Sequence, residues 1–493
     1  MLVSVIKPAV KIRMVSSKGA RLNFPVVKNL FRSVNRFSAD RTSSTVQRGS
    51  RVTVNGTAWP APSRAWWAVA VFSAAAVLSY TDRQVLSLLV DPLKADLHIT
   101  DSQVGVLQGL AFALIYSVAG LPLGRLADLA PRRLVIVLGV LVWSVGTVAC
   151  GFAPDFTSLF GARVLVGIGE AALAPAAISM ISDLFPPDRR GLAVGVFLMG
   201  MTVGGGVAIT LGGLILQGAN AGLFKSIPLV GALAPWRAAL VLLGFPGPVI
   251  VALLLSIREP ARQNRMEKAR HTLGAALAGF RLRAGVLVPL YLAMSLFSVG
   301  DNSVGAWSPS LLARRFAMPP GEIGLWLGGA SIVTGVVGTV LGGLVADRLV
   351  RFRGSAGRLM VAAAAALVGV IGGLIGFADG SLQVVALFAV WALMSSAAVS
   401  IGITTVQEVV TNEMRGLAVA INSFGNIAIG VVAGTSVTAF LTDYVFRSPA
   451  MVGWSISSVT IPAGAAGALL FFVSYRNLRR QATASAISPS AGA

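Results

Sequence analysis

Five ionisable residues interrupt otherwise apolar stretches: the adjacent Asp82 and Arg83, then Arg163, Glu170 and Asp301. An ionised side chain at mid-bilayer costs roughly 2.5–3.5 kcal/mol on insertion scales, so such groups are kept there to move protons or to hold a charged passenger. Their spacing points the same way. Glu170 follows Arg163 by two helical turns on one face, about 10 Å deeper, and lies midway along the apolar stretch from 156 to 184. Asp82 and Arg83 come shortly before their helix should end near residue 90, at the depth of Arg163. The expected arrangement is an ion pair between Asp82 and Arg163, with Arg83 reaching toward Glu170, provided the two helices adjoin. With all five groups ionised the cluster carries one net negative charge, and a single proton neutralises it. Proton uptake that frees an arginine to hold an anionic or zwitterionic head group is the chemistry this set suits; a static ion-pair network is the competing reading. Asp301 has no evident basic partner, which leaves a second proton site, a contact for a cationic head group, or a neutral hydrogen-bonded acid.

The elements that must position these groups are helices in lipid. The 493 residues are 55% hydrophobic and 12% charged, against about 25% charged in soluble domains. Uncharged runs at 191–216, 323–346, 381–407, 416–442 and 451–475 each exceed the ~20 residues that span a bilayer core. Twelve candidate spans start near 65, 103, 133, 156, 191, 235, 284, 321, 357, 381, 415 and 449, and only the first, fourth and seventh carry charge in mid-span. Outside the first 63 residues, lysine and arginine crowd the loops on the side of the termini, which places both termini in the cytoplasm. The net charge of +21 is mostly this topology signal, and no nucleic-acid partner is needed to account for it. One cysteine and two histidines leave little for a metal site, a cofactor is not called for, and no nucleotide-binding signature is present. The expectation is a transporter, not an enzyme, whose partners are a small-molecule substrate, protons and the lipid bilayer, working as a monomer.

The chain also repeats itself. At an offset of 219 residues Asp82 meets Asp301, Gly105 meets Gly324, Gly109 meets Gly328, and Gly124 with Asp128 meets Gly343 with Asp347. At 225, Arg190-Gly-Leu-Ala-Val194 meets the identical Arg415–Val419. Six helices plus six in the same orientation are parallel repeats, the plan of transporters that rock about a midplane site. The expected organisation is a basic, disordered extension (1–63), a six-helix bundle (64–257), a cytoplasmic linker (258–283), a second bundle (284–476) and a disordered tail (477–493). The composition of the extension also suits a transit peptide or an upstream start. Asn302, Phe388 and Ser395 replace Arg83, Arg163 and Glu170 in the second repeat, so a charged, proton-handling half and a more apolar, substrate-accommodating half are expected. Tyr80, Gln108, Tyr116, Asn302 and Trp307 are candidates to line the cavity between them.

Gly124-x-x-x-Asp128 with Arg132-Arg133, its copy Gly343-x-x-x-Asp347-Arg348, and Arg163-x-x-x-Gly167-x-Gly169 resemble signatures of the major facilitator superfamily. Tyr80-Thr-Asp-Arg83, Gly169-Glu-Ala171 followed by Pro175, and Asp183-Leu-Phe-Pro-Pro-Asp-Arg-Arg-Gly191 resemble its spinster-like branch, bacterial members included. The anion:cation symporter branch has a similar first helix. Leu129 and Pro131 depart from the loop signature, and Gly204-Gly205-Gly206 lacks the Gly-Pro of drug antiporters. The resemblance implies an all-α membrane protein of twelve transmembrane helices in two parallel six-helix repeats, with the first and fourth helices lining one cavity. It also implies a cytoplasmic gate at Gly124, Asp128, Arg132, Arg133, Asp347 and Arg348, Asp128 acting as latch. Function follows as alternating access, proton-coupled, for an organic anion or a lysolipid-like amphiphile. A carboxylate:proton symporter or an uncoupled facilitator is the alternative, and a bacterial inner membrane is the expected location.

Overall fold

The computed structural model describes residues 59–262, 273–354, 356–411 and 415–487; nearly all of the basic extension, the middle of the linker and the last six residues lie outside the described residues. Every regular element among the described residues is helical. Twelve long helices follow in order: α1 (Pro62–Leu88), α2 (Asp101–Leu129), α3 (Arg132–Phe152), α4 (Phe156–Leu184), α5 (Pro187–Asn220), α6 (Pro235–Ser256), α7 (Leu273–Phe316), α8 (Pro320–Arg353), α9 (Gly357–Phe377), α10 (Ser381–Val409), α11 (Arg415–Phe424 continuing to Leu441–Val445) and α12 (Val452–Ile487). Eleven of them are long and apolar enough to cross a bilayer; α1 falls short because Tyr80, Asp82 and Arg83 lie within it. Several starts are written locally. Prolines stand in the first turn of α1, α5, α6 and α8, where a missing N–H costs nothing. Thr100 with Gln103 and Asp155 with Ser158 form reciprocal caps at the starts of α2 and α4.

Within each set of six, bare backbones let helices touch. A Cβ on Gly200 or Gly204 would press on Ser73 or Val77 of α1; on Gly338 or Gly342 it would meet α10; on Gly430 or Gly434 it would meet α7. The repeat appears again between the sets. Gly105 and Gly109 of α2 lie against Thr435, Ser436 and Ala439 of α11, and their counterparts Gly324 and Gly328 of α8 lie against the backbone of α5 at Gly206, Ile209 and Gly213. Both contacts sit at the end remote from the termini. Nearer the termini, Ile115–Leu129 of α2 packs on α3 and α4 of its own set, and Arg415–Phe424 of α11 on α7 of its own. The sets therefore meet at one end and part toward the other.

Two boundaries differ from expectation. α7 begins at Leu273 rather than 284. The rings of Phe280 and Tyr291 stack 6.2 Å apart, although eleven residues of straight helix would separate them by about 16 Å, so α7 is bent between them. Pro289 has no N–H to give the Gly285 carbonyl, and Asn477 Nδ2 of α12 donates to it instead at 2.6 Å, while Ser474 Oγ donates to the Val286 carbonyl at 3.0 Å. The same docking carries α12 on to Ile487, eleven residues past the expected end at 476.

Candidate functional site

A cavity of about 460 Å³ lies between the two sets, walled by α1, α2, α4 and α5 on one side and α7, α8, α10 and α11 on the other. Tyr80, Arg83, Gln108, Tyr116, Arg163, Asp301 and Asn302 all line it, whereas Glu170 stands behind Arg83 in a recess of about 10 Å³, just room for one water.

The backbone explains where each charge points. Successive helical residues are 100° apart, so Arg83 faces the cavity while its neighbour Asp82 turns into the packing between α1, α3 and α4. Arg83 Nε donates to Glu170 Oε2 at 2.6 Å, and Ser79 Oγ donates to the same oxygen at 2.7 Å. Glu170 is buried, with Oε1 lacking any hydrogen-bond partner. It closes the first half of α4, which is interrupted after Phe156–Glu170 and resumes at Leu173. Pro175 accounts for the break, since its ring conflicts with the carbonyl four residues earlier. The Arg83 guanidinium lies 4.5–5.0 Å from the ring centres of Tyr80, Phe112 and Tyr116, and Arg163 lies 5.1 Å from the centre of the same Phe112 ring. Such contacts hold a cation and are worth more when desolvated.

The expected pair between Arg163 and the Asp82 carboxylate is not formed. Arg163 donates instead to the main-chain carbonyl of Asp82 at 3.1 Å. The Asp82 carboxylate oxygens are buried without a hydrogen-bond partner, facing Thr147 of α3, whose hydroxyl is already donated to the Trp143 carbonyl. The equal depth of the two residues was legible; the direction in which α1 turns Asp82 was not. Arg163 Nε and Gln108 Nε2 remain buried donors without acceptors at the cavity wall.

Across the cavity Asp301 is exposed, with Ser395 and Trp391 beside it and no cation within ion-pairing distance among the described residues. The wall around it is otherwise uncharged, with Ser298, Asn302, Ser331, Thr334, Asn426 and Thr435 among apolar neighbours such as Phe388 and Val431. The hydroxyls of Ser331, Thr334 and Thr435 are spent on carbonyls one turn back in their own helices. Trp307 is a second correction. It is fully buried and donates its Nε1 to the Thr435 carbonyl at 3.0 Å, tying α7 to α11 without lining the cavity. Phe112 is the notable omission. It stands four residues from both Gln108 and Tyr116, one polar face of α2 that the sequence does display.

At the termini end, Arg132 is buried and donates to Asp183, to Glu259 Oε1 at 2.9 Å and to the Pro260 carbonyl at 3.0 Å. Arg133 bonds the Ile257 carbonyl at 3.0 Å, and Arg262 caps the end of α2 through the carbonyls of Ala127, Asp128 and Ala130. In the second set Arg358 joins Asp347 (2.8 Å) and Glu408. Arg358 and Glu408 are the repeat counterparts of Arg133 and Asp183, so each set braces its own loop. A Cβ on Gly124 would lie 3.9 Å from Pro175, and Arg348 is exposed. Glu259, Arg358 and Glu408 went unmarked in the sequence because their partners are remote in it. Among the described residues the ion pairs that cross between sets lie at the opposite end: Arg314 of α7 meets Asp91 at 2.7 Å and the fully buried Asp101 at 2.7 and 3.0 Å, while Lys94, of the same set as Asp101, meets it at 2.7 Å. No group of three or more metal-type ligands is gathered among the described residues.

The family model described as Major Facilitator Superfamily matches residues 72–374. The chain is 28% identical over 385 residues to an MFS-type efflux pump of Mycolicibacterium smegmatis, covering 78% of this chain and 85% of that one. It is 26% identical over 411 residues to a sphingosine-1-phosphate transporter of Mus musculus, covering 77% and 70%. Among solved structures, a bacterial homolog of the human lysosomal transporter Spinster, in an inward-facing and unoccupied conformation, superposes with a TM-score of 0.70 at 22% identity, covering 85% of this chain and 98% of that one.

Proposed function

This chain belongs to the Major Facilitator Superfamily, a multi-pass membrane protein of spinster-like character, and on that premise we propose that it is a proton-coupled secondary transporter of an organic anion or anionic amphiphile. The observation that carries the proposal is the placement of Arg83 between two claims on its charge. Its Nε is held by Glu170, while the rest of the guanidinium, caged by aromatic rings, fronts the cavity. A proton on Glu170 weakens the first claim and leaves the arginine to a carboxylate or phosphate in the cavity. An anion on Arg83 in turn favours the protonated form of Glu170. The two occupancies are thereby linked. Arg163 Nε and Gln108 Nε2, both buried donors without acceptors, complete the anion's surroundings.

Alternation follows from the asymmetry of the contacts. The ion pairs about Arg314 and the glycine contacts of α2 with α11 and α5 with α8 close the end remote from the termini, while the cavity faces the end that carries them. The excess of arginine there supports a cytoplasmic assignment for both termini, in a bacterial inner membrane, so the state is inward-facing. Opening outward would break the Arg314 contacts and bring together the loops of Gly124, Asp128, Arg132, Arg133, Asp347 and Arg348, which then act as the cytoplasmic gate. The sphingosine-1-phosphate relative supports an amphiphilic cargo.

Glu170→Gln, reconstituted in proteoliposomes, is expected to lose uptake driven by a pH gradient while retaining exchange of substrate at equal pH. Uptake at the wild-type rate under a pH gradient would refute the assignment of the proton to Glu170.

A further inference from the structure

A second cavity of about 180 Å³ lies toward the closed end, where α1, α5, α7 and α8 converge. Ser87 lines both it and the central cavity. Since Ser87 stands one turn beyond Arg83 on the same helical face, the arginine's surroundings lead directly to it. Its lining is more apolar than that of the central site, with Leu88, Leu216, Met318 and Ile323 beside the polar Ser87, Asp91, Asn220 and Ser310. Ser310 is 2% exposed, and its hydroxyl has no hydrogen-bond partner. Asp91 is at the rim and already engaged by Arg314.

An apolar void is unfavourable when empty and holds water poorly; a dry cavity of about 150 Å³ takes up a molecule the size of benzene. This pocket is of similar size though not sealed, since the exposed Asn220 lines it; it offers one orphan hydroxyl and continues from the place where an anionic head group would sit. We propose that it is a binding subsite for the apolar part of the substrate, a short alkyl chain or ring with at most one hydrogen-bonding group, that group meeting Ser310. The inference rests on the anionic head lying at Arg83. Head and chain then occupy two subsites joined at Ser87. Because the walls of the second come from both sets of helices, the chain end is held only while that end stays closed.

The test uses the full-length protein in amphipol and calorimetric titration with n-alkanoates from acetate to octanoate, with n-alkanols of the same lengths as a parallel series. Affinity should rise roughly fourfold per methylene buried and level off once the void is full. Ala313→Phe, and separately Leu216→Phe from the opposite wall, should flatten that rise while leaving acetate affinity unchanged. Partition into the amphipol is common to all three proteins and cancels. A chain-length dependence that survives in both variants, or that is absent from both series in the wild type, overturns the subsite. If alkanols match alkanoates at every length and both variants still flatten the rise, the subsite stands and the anionic head at Arg83 falls.

Discussion

At the scale of single residues, the proposed coupling turns on one guanidinium. Arg83 is bonded edge-on to Glu170 and lies against three rings, a combination that uses the planarity of arginine. Lysine has neither the fork nor the flat face. Arg83→Lys should therefore preserve the charge but weaken substrate binding at least tenfold, measured as the Kd of purified protein; unchanged affinity would mean that the cage does not select for a guanidinium. The five mid-span charges were all legible as candidates, and four of them reach the cavity or its recess together. Asp82 was placed at the right depth and in the wrong direction. Depth follows from counting residues along a helix, whereas direction depends on how α1 is rotated against α3 and α4, which packing sets.

At the scale of helices, glycine and proline mark where backbones approach and bend. A Cβ on Gly434 would stand 2.4 Å from the Val299 carbonyl, while one on Gly161 would meet nothing within 4 Å. Gly434→Ala should lower thermal stability by about 1–3 kcal/mol, and Gly161→Ala should leave the melting temperature of the detergent-solubilised protein close to wild type. Equal effects would show that α11 is not seated closely on α7. Asn477→Ala should cost about 0.5–1.5 kcal/mol, the net worth of one hydrogen bond, because the Gly285 carbonyl, already deprived of a partner by Pro289, is exposed when it loses this donor; the same melting assay with Asn477→Gln as a partial rescue checks it. The four-residue spacing of Gly200/Gly204, Gly338/Gly342 and Gly430/Gly434 marks grooves in the sequence itself. Which helix fills each groove was not, since any apolar helix satisfies the pattern. The bend in α7 was likewise half-written: Pro289 announces it, but the donor that makes it tolerable comes from almost two hundred residues away.

At the scale of the molecule, the two sets of helices are held at one end by a small charge network. Arg314 is nearly buried and Asp101 fully so. Removing one partner of a buried pair costs about 3–5 kcal/mol when the other charge is left uncompensated; loss of Arg314 costs less than that, because Lys94 still meets Asp101 at 2.7 Å. Since about 5.5 kcal/mol carries a two-state equilibrium from 1:99 to 99:1, Arg314→Gln should shift a large share of molecules toward the outward-open state. Spin labels on the remote ends of α1 and α7 should report a longer distance population in this variant, and Asp101→Asn on the same background should restore part of the closed population; an unaltered distance distribution in Arg314→Gln would remove the network from the closure. By itself the sequence determined the number of helices, their duplication, the crowding of arginine at one membrane face and the set of charges sunk within it, because hydropathy, spacing and charge are properties of a linear chain in an oily solvent. Only the tertiary structure decided which arginine holds Glu170, which acid is left without a partner, and at which end the halves meet. Those outcomes depend on helix rotation and on contacts between residues hundreds of positions apart, where small differences in packing choose among arrangements that the same pattern allows.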